Sequence, residues 1–152
     1  MQAKMKVASL IIIFIGMTAS LILSSHAALP DKLQPFTSDG CSAFPDGTLF
    51  QQTLWQQCCT THDKAYWQGG TYQQRLDADL ALEACVAKVG EPDIAKLMLA
   101  GVRVGGSPYW PTSFRWGYGW KYPRAYRATT TKQSTSIDTL SAEEAKPQLP
   151  AN

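Results

Sequence analysis

The run Cys58-Cys59-Thr60-Thr61-His62-Asp63-Lys64-Ala65-Tyr66 concentrates the residues with which this chain could do chemistry. It holds two adjacent cysteines, a histidine and a neighbouring carboxylate. Its surroundings, 49–67, contain no Gly, Pro or Ser, and apolar residues recur at Leu54, Trp55, Cys58, Cys59 and Tyr66, close to helical spacing. Positions three and four apart share a face. Cys59, His62, Asp63 and Tyr66 therefore line one side of the predicted helix, with Cys58 beside them. Adjacent helical residues point about 100° apart, so Asp63 is badly placed to hold the ring of His62. The pair reads as two tools: His62 a general base, and Asp63 a ligand for a hard cation. Calcium takes carboxylate and backbone carbonyl oxygens, and the turn-rich loop 38–47 could present carbonyls if Cys41 bonds Cys59. The group that fixes the imidazole tautomer must come from elsewhere. A second helix offers Asp77, Asp79 and Glu83, and helix geometry alone does not choose among them. Zinc on Cys58, Cys59 and His62 is a poorer reading, because adjacent cysteines lack the usual ligand spacing.

The elements that must position these groups are mainly α. The spacing predicts a first helix over 48–67, with Thr48 as N-cap and Gly69-Gly70 as its stop. A second helix follows over 71–90, and the short link makes the two antiparallel neighbours. Glu91-Pro92-Asp93 opens a third helix over 92–104, with proline in the first turn and acids at the positive end of the dipole. The chain has four cysteines, Cys41, Cys58, Cys59 and Cys85. A direct bond between Cys58 and Cys59 would strain the intervening peptide. The two remaining pairings both staple the first helix to the segments around Cys41 and Cys85.

Beyond the third helix the expected structure is irregular and aromatic. Of 16 aromatic residues in the chain, 8 fall between Tyr109 and Tyr126, and no acid occurs between Asp93 and Asp138. Trp and Tyr favour a lipid–water interface, and basic side chains favour anionic headgroups. Trp110, Arg115, Trp116 and Trp120 are the expected membrane-facing residues. The competing role for such aromatics is packing over the helical pair. A net charge of +2 gives no case for nucleic acid as a partner.

The ends of the chain are of other kinds. Residues 1–27 show a basic start, an apolar run and Ser25-His26-Ala27, the order of a secretory signal cleaved near Ala27. This predicts a secreted or periplasmic protein with oxidised thiols. Residues 28–127 would form one domain, assumed monomeric. Residues 128–152 are rich in Thr, Ser, Ala, Pro and Lys and read as a disordered tail.

Cys-Cys-Thr-Thr-His-Asp-Lys-Ala-Tyr resembles the active-site helix of the secreted phospholipase A2 family, whose pattern is Cys-Cys-x-x-His-Asp-x-x-Tyr. Asp79 lies six residues before Cys85, a spacing also similar to that family's second helix. Asp-Gly-Cys-Ser followed by Pro-Asp looks like the short calcium loop of its bacterial and fungal members. The resemblance covers roughly 38–86. It implies calcium-dependent hydrolysis of the sn-2 ester of glycerophospholipids, with the phospholipid membrane surface as partner. It implies that His62 activates water, that Asp79 orients His62, and that Tyr66 hydrogen-bonds Asp79. Asp63 and the carbonyls of Gly40, Ser42 and Phe44 would be calcium ligands, and the disulfides would be Cys41–Cys59 and Cys58–Cys85. The glycine-rich loop of the animal members is replaced here by Ala43-Phe44-Pro45. A second expectation is a catalytically silent relative that binds membranes or proteins through the basic aromatic segment.

Overall fold

The computed structural model describes residues 31–145. The signal expected at 1–27 lies outside them. Among the described residues there are four helices and no strand: α1 Gln56–Gln68, α2 Tyr72–Lys88, α3 Pro92–Gly105 and α4 Thr131–Glu144. None is long and apolar enough to cross a membrane.

The helical pair forms because its ends are well specified. Thr71 caps α2 in a reciprocal box with Gln74, each side chain satisfying the other's backbone N–H. Three pairings fix the direction of α2 against α1: Cys58–Cys85, His62–Asp79 and Tyr66–Arg75. Partners advance along α1 as they retreat along α2, so the two are antiparallel. Pro92 opens α3, which packs extensively on α2. Both disulfides are the ones the resemblance implies, Cys41–Cys59 and Cys58–Cys85. Each closes a loop long enough to contribute about 3 kcal/mol. Trp55, Cys58, Cys59, Leu82, Val86, Ala95 and Met98 form the core between α1, α2 and α3.

Two expectations are corrected. The first helix starts at Gln56, not at 48. Thr48 does cap a turn, its hydroxyl accepting from the Gln51 N–H. However, the Trp55 N–H is taken by the Asp46 carbonyl at 3.0 Å and the Trp55 indole by the Pro45 carbonyl at 2.6 Å. These tertiary bonds outcompete an added helical turn. The predicted disordered tail also fails over 131–144, which is α4. Thr130 and Gln133 form a second capping box. Ile137 and Leu140, three apart, lay one apolar stripe against Leu33, Trp67 and Trp120, and Lys64 reaches Glu144 at 3.0 Å.

Residues 107–127 contain no regular element. Their backbone and indoles close the C-terminal end of α1, where helical carbonyls have no partner of their own. Gly117 N–H donates to the Tyr66 carbonyl, Gly119 N–H to Trp67, and the Trp120 indole to Gln68. The Trp116 indole donates to the Gly70 carbonyl.

Candidate active site

Helical periodicity puts Cys58, Cys59, His62 and Tyr66 on the buried side of α1. Asp79 stands opposite on α2 and is fully buried. Its Oδ1 lies 3.1 Å from His62 Nε2 and accepts the Tyr66 hydroxyl at 2.7 Å. A carboxylate oxygen only accepts, so Nε2 is the donor in this pair. Nδ1 makes no hydrogen bond among the described residues and is left as the basic nitrogen. Of the three acids offered by α2, Asp79 is thus the partner; Asp77 is exposed and occupied by Gln73. Burial and the Asp79 charge push the Tyr66 phenol well above its usual pKa, so Tyr66 remains a donor. Gly106 lets the chain pass over the Tyr66 ring, where any Cβ would collide.

His62 lines a cavity of about 420 Å³, within the range of small-molecule sites. The walls are mostly apolar: Leu82, Leu97, Met98, Val102 and Phe114 among them. The loop carrying Gly40, Ser42 and Phe44 lines the same cavity, as does Asp63.

The loop is held in shape without using those three carbonyls. Cys41 N–H donates to Asp46 Oδ1 at 2.7 Å, and Phe44 N–H to the Cys41 carbonyl at 2.9 Å. Gly40 has φ +81°, and a Cβ there would strike the Asp46 carboxylate. Only glycine fits. Ala43 is left-handed too, at φ 57°. The carbonyls of Cys41, Pro45 and Asp46 all accept hydrogen bonds. Those of Gly40, Ser42 and Phe44 accept none among the described residues. Asp63 is half-buried; its Oδ2 accepts the Ser38 hydroxyl at 2.7 Å. Burial, with Asp39 and Asp46 nearby, pushes its carboxyl up to about 6, against the lowering effect of Ser38 and His62. One half-buried carboxylate and open backbone carbonyls are hard oxygen donors of the kind calcium takes, and a cation beside Asp63 would offset its buried charge. Among the described residues no three His, Cys, Asp or Glu side chains converge on a metal position. A cation here would depend on one carboxylate and the backbone.

The expected membrane residues divide. Trp110 is 56% exposed, whereas Arg115, Trp116 and Trp120 are 6%, 2% and 1% exposed. The last three are interior residues, a correction of the interface expectation. The two indoles complete the closure of α1, and Arg115 donates to the Trp120 carbonyl at 2.6 Å. Exposed apolar side chains occur instead at Leu97, Val104, Tyr109, Trp110 and Phe114.

Sequence reasoning missed Arg75 and Arg103. Arg103 Nε lies 3.0 Å and Arg75 Nε 3.9 Å from Asp79 Oδ2. The spacing of Arg75 four residues before Asp79 on one helix was the available signal; nothing local marks Arg103, which arrives on α3.

No protein-family model matches the chain, and neither a curated protein nor a solved structure is significantly similar to it.

Proposed function

We propose that this chain hydrolyses the sn-2 ester of glycerophospholipids at a membrane surface with calcium, releasing fatty acid and lysophospholipid. The observation that carries this reading is that His62 and Tyr66, both held by the buried Asp79, line an apolar cavity together with Asp63 and the loop residues Gly40, Ser42 and Phe44. The resemblance of 38–86 to secreted phospholipase A2 supports it. So does the disulfide framework, which suits a secreted or periplasmic protein.

The acyl chain would lie along Leu97, Met98 and Val102, with the ester near His62. His62 Nδ1 takes a proton from water as the water oxygen bonds to the ester carbonyl carbon. The tetrahedral intermediate then collapses. The bond to the glycerol oxygen breaks, and the imidazolium returns its proton to that oxygen. Asp79 holds the ring in one tautomer and steadies its transient charge. No covalent enzyme intermediate is required. Asp63 and the carbonyls of Gly40, Ser42 and Phe44 would hold the cation. When bound, calcium supplies Lewis-acid polarisation of the ester carbonyl and compensates the oxyanion charge. Trp110, Phe114 and Leu97 are the exposed side chains suited to meet the lipid surface.

The test is release of fatty acid from mixed phospholipid vesicles by folded, oxidised protein, with calcium and then with a chelator. His62→Gln should lower release by about 1000-fold with the fold retained. No release by the wild type would defeat the hydrolytic reading. The silent-binder alternative drew on the basic aromatic segment; the burial of Arg115, Trp116 and Trp120 takes those three out of it, whereas Trp110 stays exposed.

A further inference from the structure

Asp79 has more partners than a histidine-orienting carboxylate needs. Oδ1 serves both Tyr66 and His62. Oδ2 faces two guanidinium groups carried by different helices, Arg75 on α2 and Arg103 on α3. The Arg103 approach at 3.0 Å is electrostatic, since neither Oδ2 nor Arg103 Nε makes an in-line hydrogen bond. Arg103 is braced by donating Nη2 to the Leu76 carbonyl at 3.2 Å. Arg75 is braced from more sides. It donates to the Tyr66 hydroxyl, the Tyr126 hydroxyl and the carbonyls of Val102 and Arg103.

A fully buried carboxylate without opposite charge is strongly disfavoured. Here part of the compensation comes from α3, the helix that also supplies Leu97, Met98 and Val102 to the cavity wall. The pull is on Oδ2, while His62 uses Oδ1, so it bears on the rotation of the carboxylate about its own bond. Rotation in turn decides whether Oδ1 stays in reach of Nε2.

We propose that Arg103 is a positioning residue for the His62–Asp79 pair, which makes the pair dependent on the docking of α3. Arg103 touches no reacting atom in this scheme; it acts through Asp79. The kinetic part of the proposal rests on the hydrolytic reading above. The spectroscopic part does not.

The experiment compares wild type, Arg103→Gln and Arg103→Lys as full chains with disulfides intact. Nitrogen-15 NMR is recorded on the high-pH plateau, where the ring nitrogen shifts no longer change with pH. The His62 signals are assigned by their loss in His62→Gln. In the wild type His62 should be held as the Nε2–H tautomer. Arg103→Gln should turn it into a mixture of both tautomers, and Arg103→Lys, which keeps the charge, should restore the wild-type ratio. In vesicle hydrolysis, Arg103→Gln should lower kcat by about 100-fold with KM unchanged, as expected for a misplaced catalytic group. If Arg103→Gln fails to fold, Arg103→Met keeps the apolar stem and is read the same way. Wild-type tautomer ratio and kcat in the neutral variants, with only thermal stability reduced, would overturn the proposal. An inactive wild type would defeat the hydrolytic reading alone, because the tautomer ratio still decides the role of Arg103.

Discussion

The C-terminal end of α1 and the loop 38–46 both gather backbone carbonyls in a small volume, and they treat them in opposite ways. At the helix end, the carbonyls of Tyr66, Trp67, Gln68 and Gly70 are each taken by a backbone N–H or an indole from 116–120. In the loop, the carbonyls of Gly40, Ser42 and Phe44 accept nothing among the described residues, although Cys41, Pro45 and Asp46 between and beside them are bonded. Buried polar groups are normally satisfied. Complete satisfaction at the helix end marks a structural joint. Selective openness in a tightly braced loop that lines the cavity beside a half-buried carboxylate is what the proposed cation site requires. Residues of the first region should therefore move stability and spare activity, and residues of the second should do the reverse.

The largest separation is expected for Asp63→Asn. Calcium-supported hydrolysis should fall by at least 100-fold, while the cation-free protein should melt no lower than the wild type, since a buried charge has been removed. A large loss of thermal stability would place Asp63 with the structural residues. Trp120→Ala is the counterpart at the helix end. It empties a fully buried site and should cost about 3–5 kcal/mol in denaturant unfolding, with calcium affinity unchanged. Trp116→Phe is milder. It keeps the ring but removes one of the two donors to the Gly70 carbonyl, which still accepts the Arg127 N–H, for a loss of about 1 kcal/mol; loss of calcium binding in this variant would erase the distinction between the regions.

The pH dependence sharpens the same comparison. The Asp63 carboxyl is raised by burial from 3.8 to about 6 in the folded chain. Between those values the folded state holds more protons than the unfolded one, so cation-free stability falls as pH rises through this window. Calcium requires the carboxylate form, so its affinity should fall as pH drops through about 6. Titrations of affinity against pH check the sign. The smallest effect is expected for Ala43→Gly, which relieves a left-handed alanine and should stabilise the loop by about 1 kcal/mol or less.

How much of this was legible in the sequence follows from how local each signal is. His62, Tyr66 and the cysteines of α1 sit at helical spacing, so the helical pair could be read; spacing left Asp77, Asp79 and Glu83 and two disulfide pairings open, and only the resemblance to the phospholipase A2 pattern implied Asp79 and the pairing partners. The start of α1 could not be read, because Asp46 and Pro45 capture Trp55 through tertiary bonds. Composition hid α4, whose hydrophobic stripe is only Ile137 and Leu140, yet its Thr130–Gln133 capping box was visible. Trp116 and Trp120 carry an apolar body and one donor. That chemistry suits a membrane interface and a buried carbonyl equally well, and only the fold shows carbonyls waiting at the end of α1. Arg103 reaches Asp79 through the packing of α3, which no local pattern encodes.

The most direct measurement is the melting temperature of wild type and Asp63→Asn across a calcium titration, with magnesium as control. A ligand that binds only the folded state at 100 times its Kd adds about 2.7 kcal/mol. The wild type should melt progressively higher with calcium, magnesium should do less, and Asp63→Asn should not respond. A wild type indifferent to calcium, or an Asp63→Asn that shifts equally, would contradict the assignment of the open carbonyls and Asp63 to a cation site.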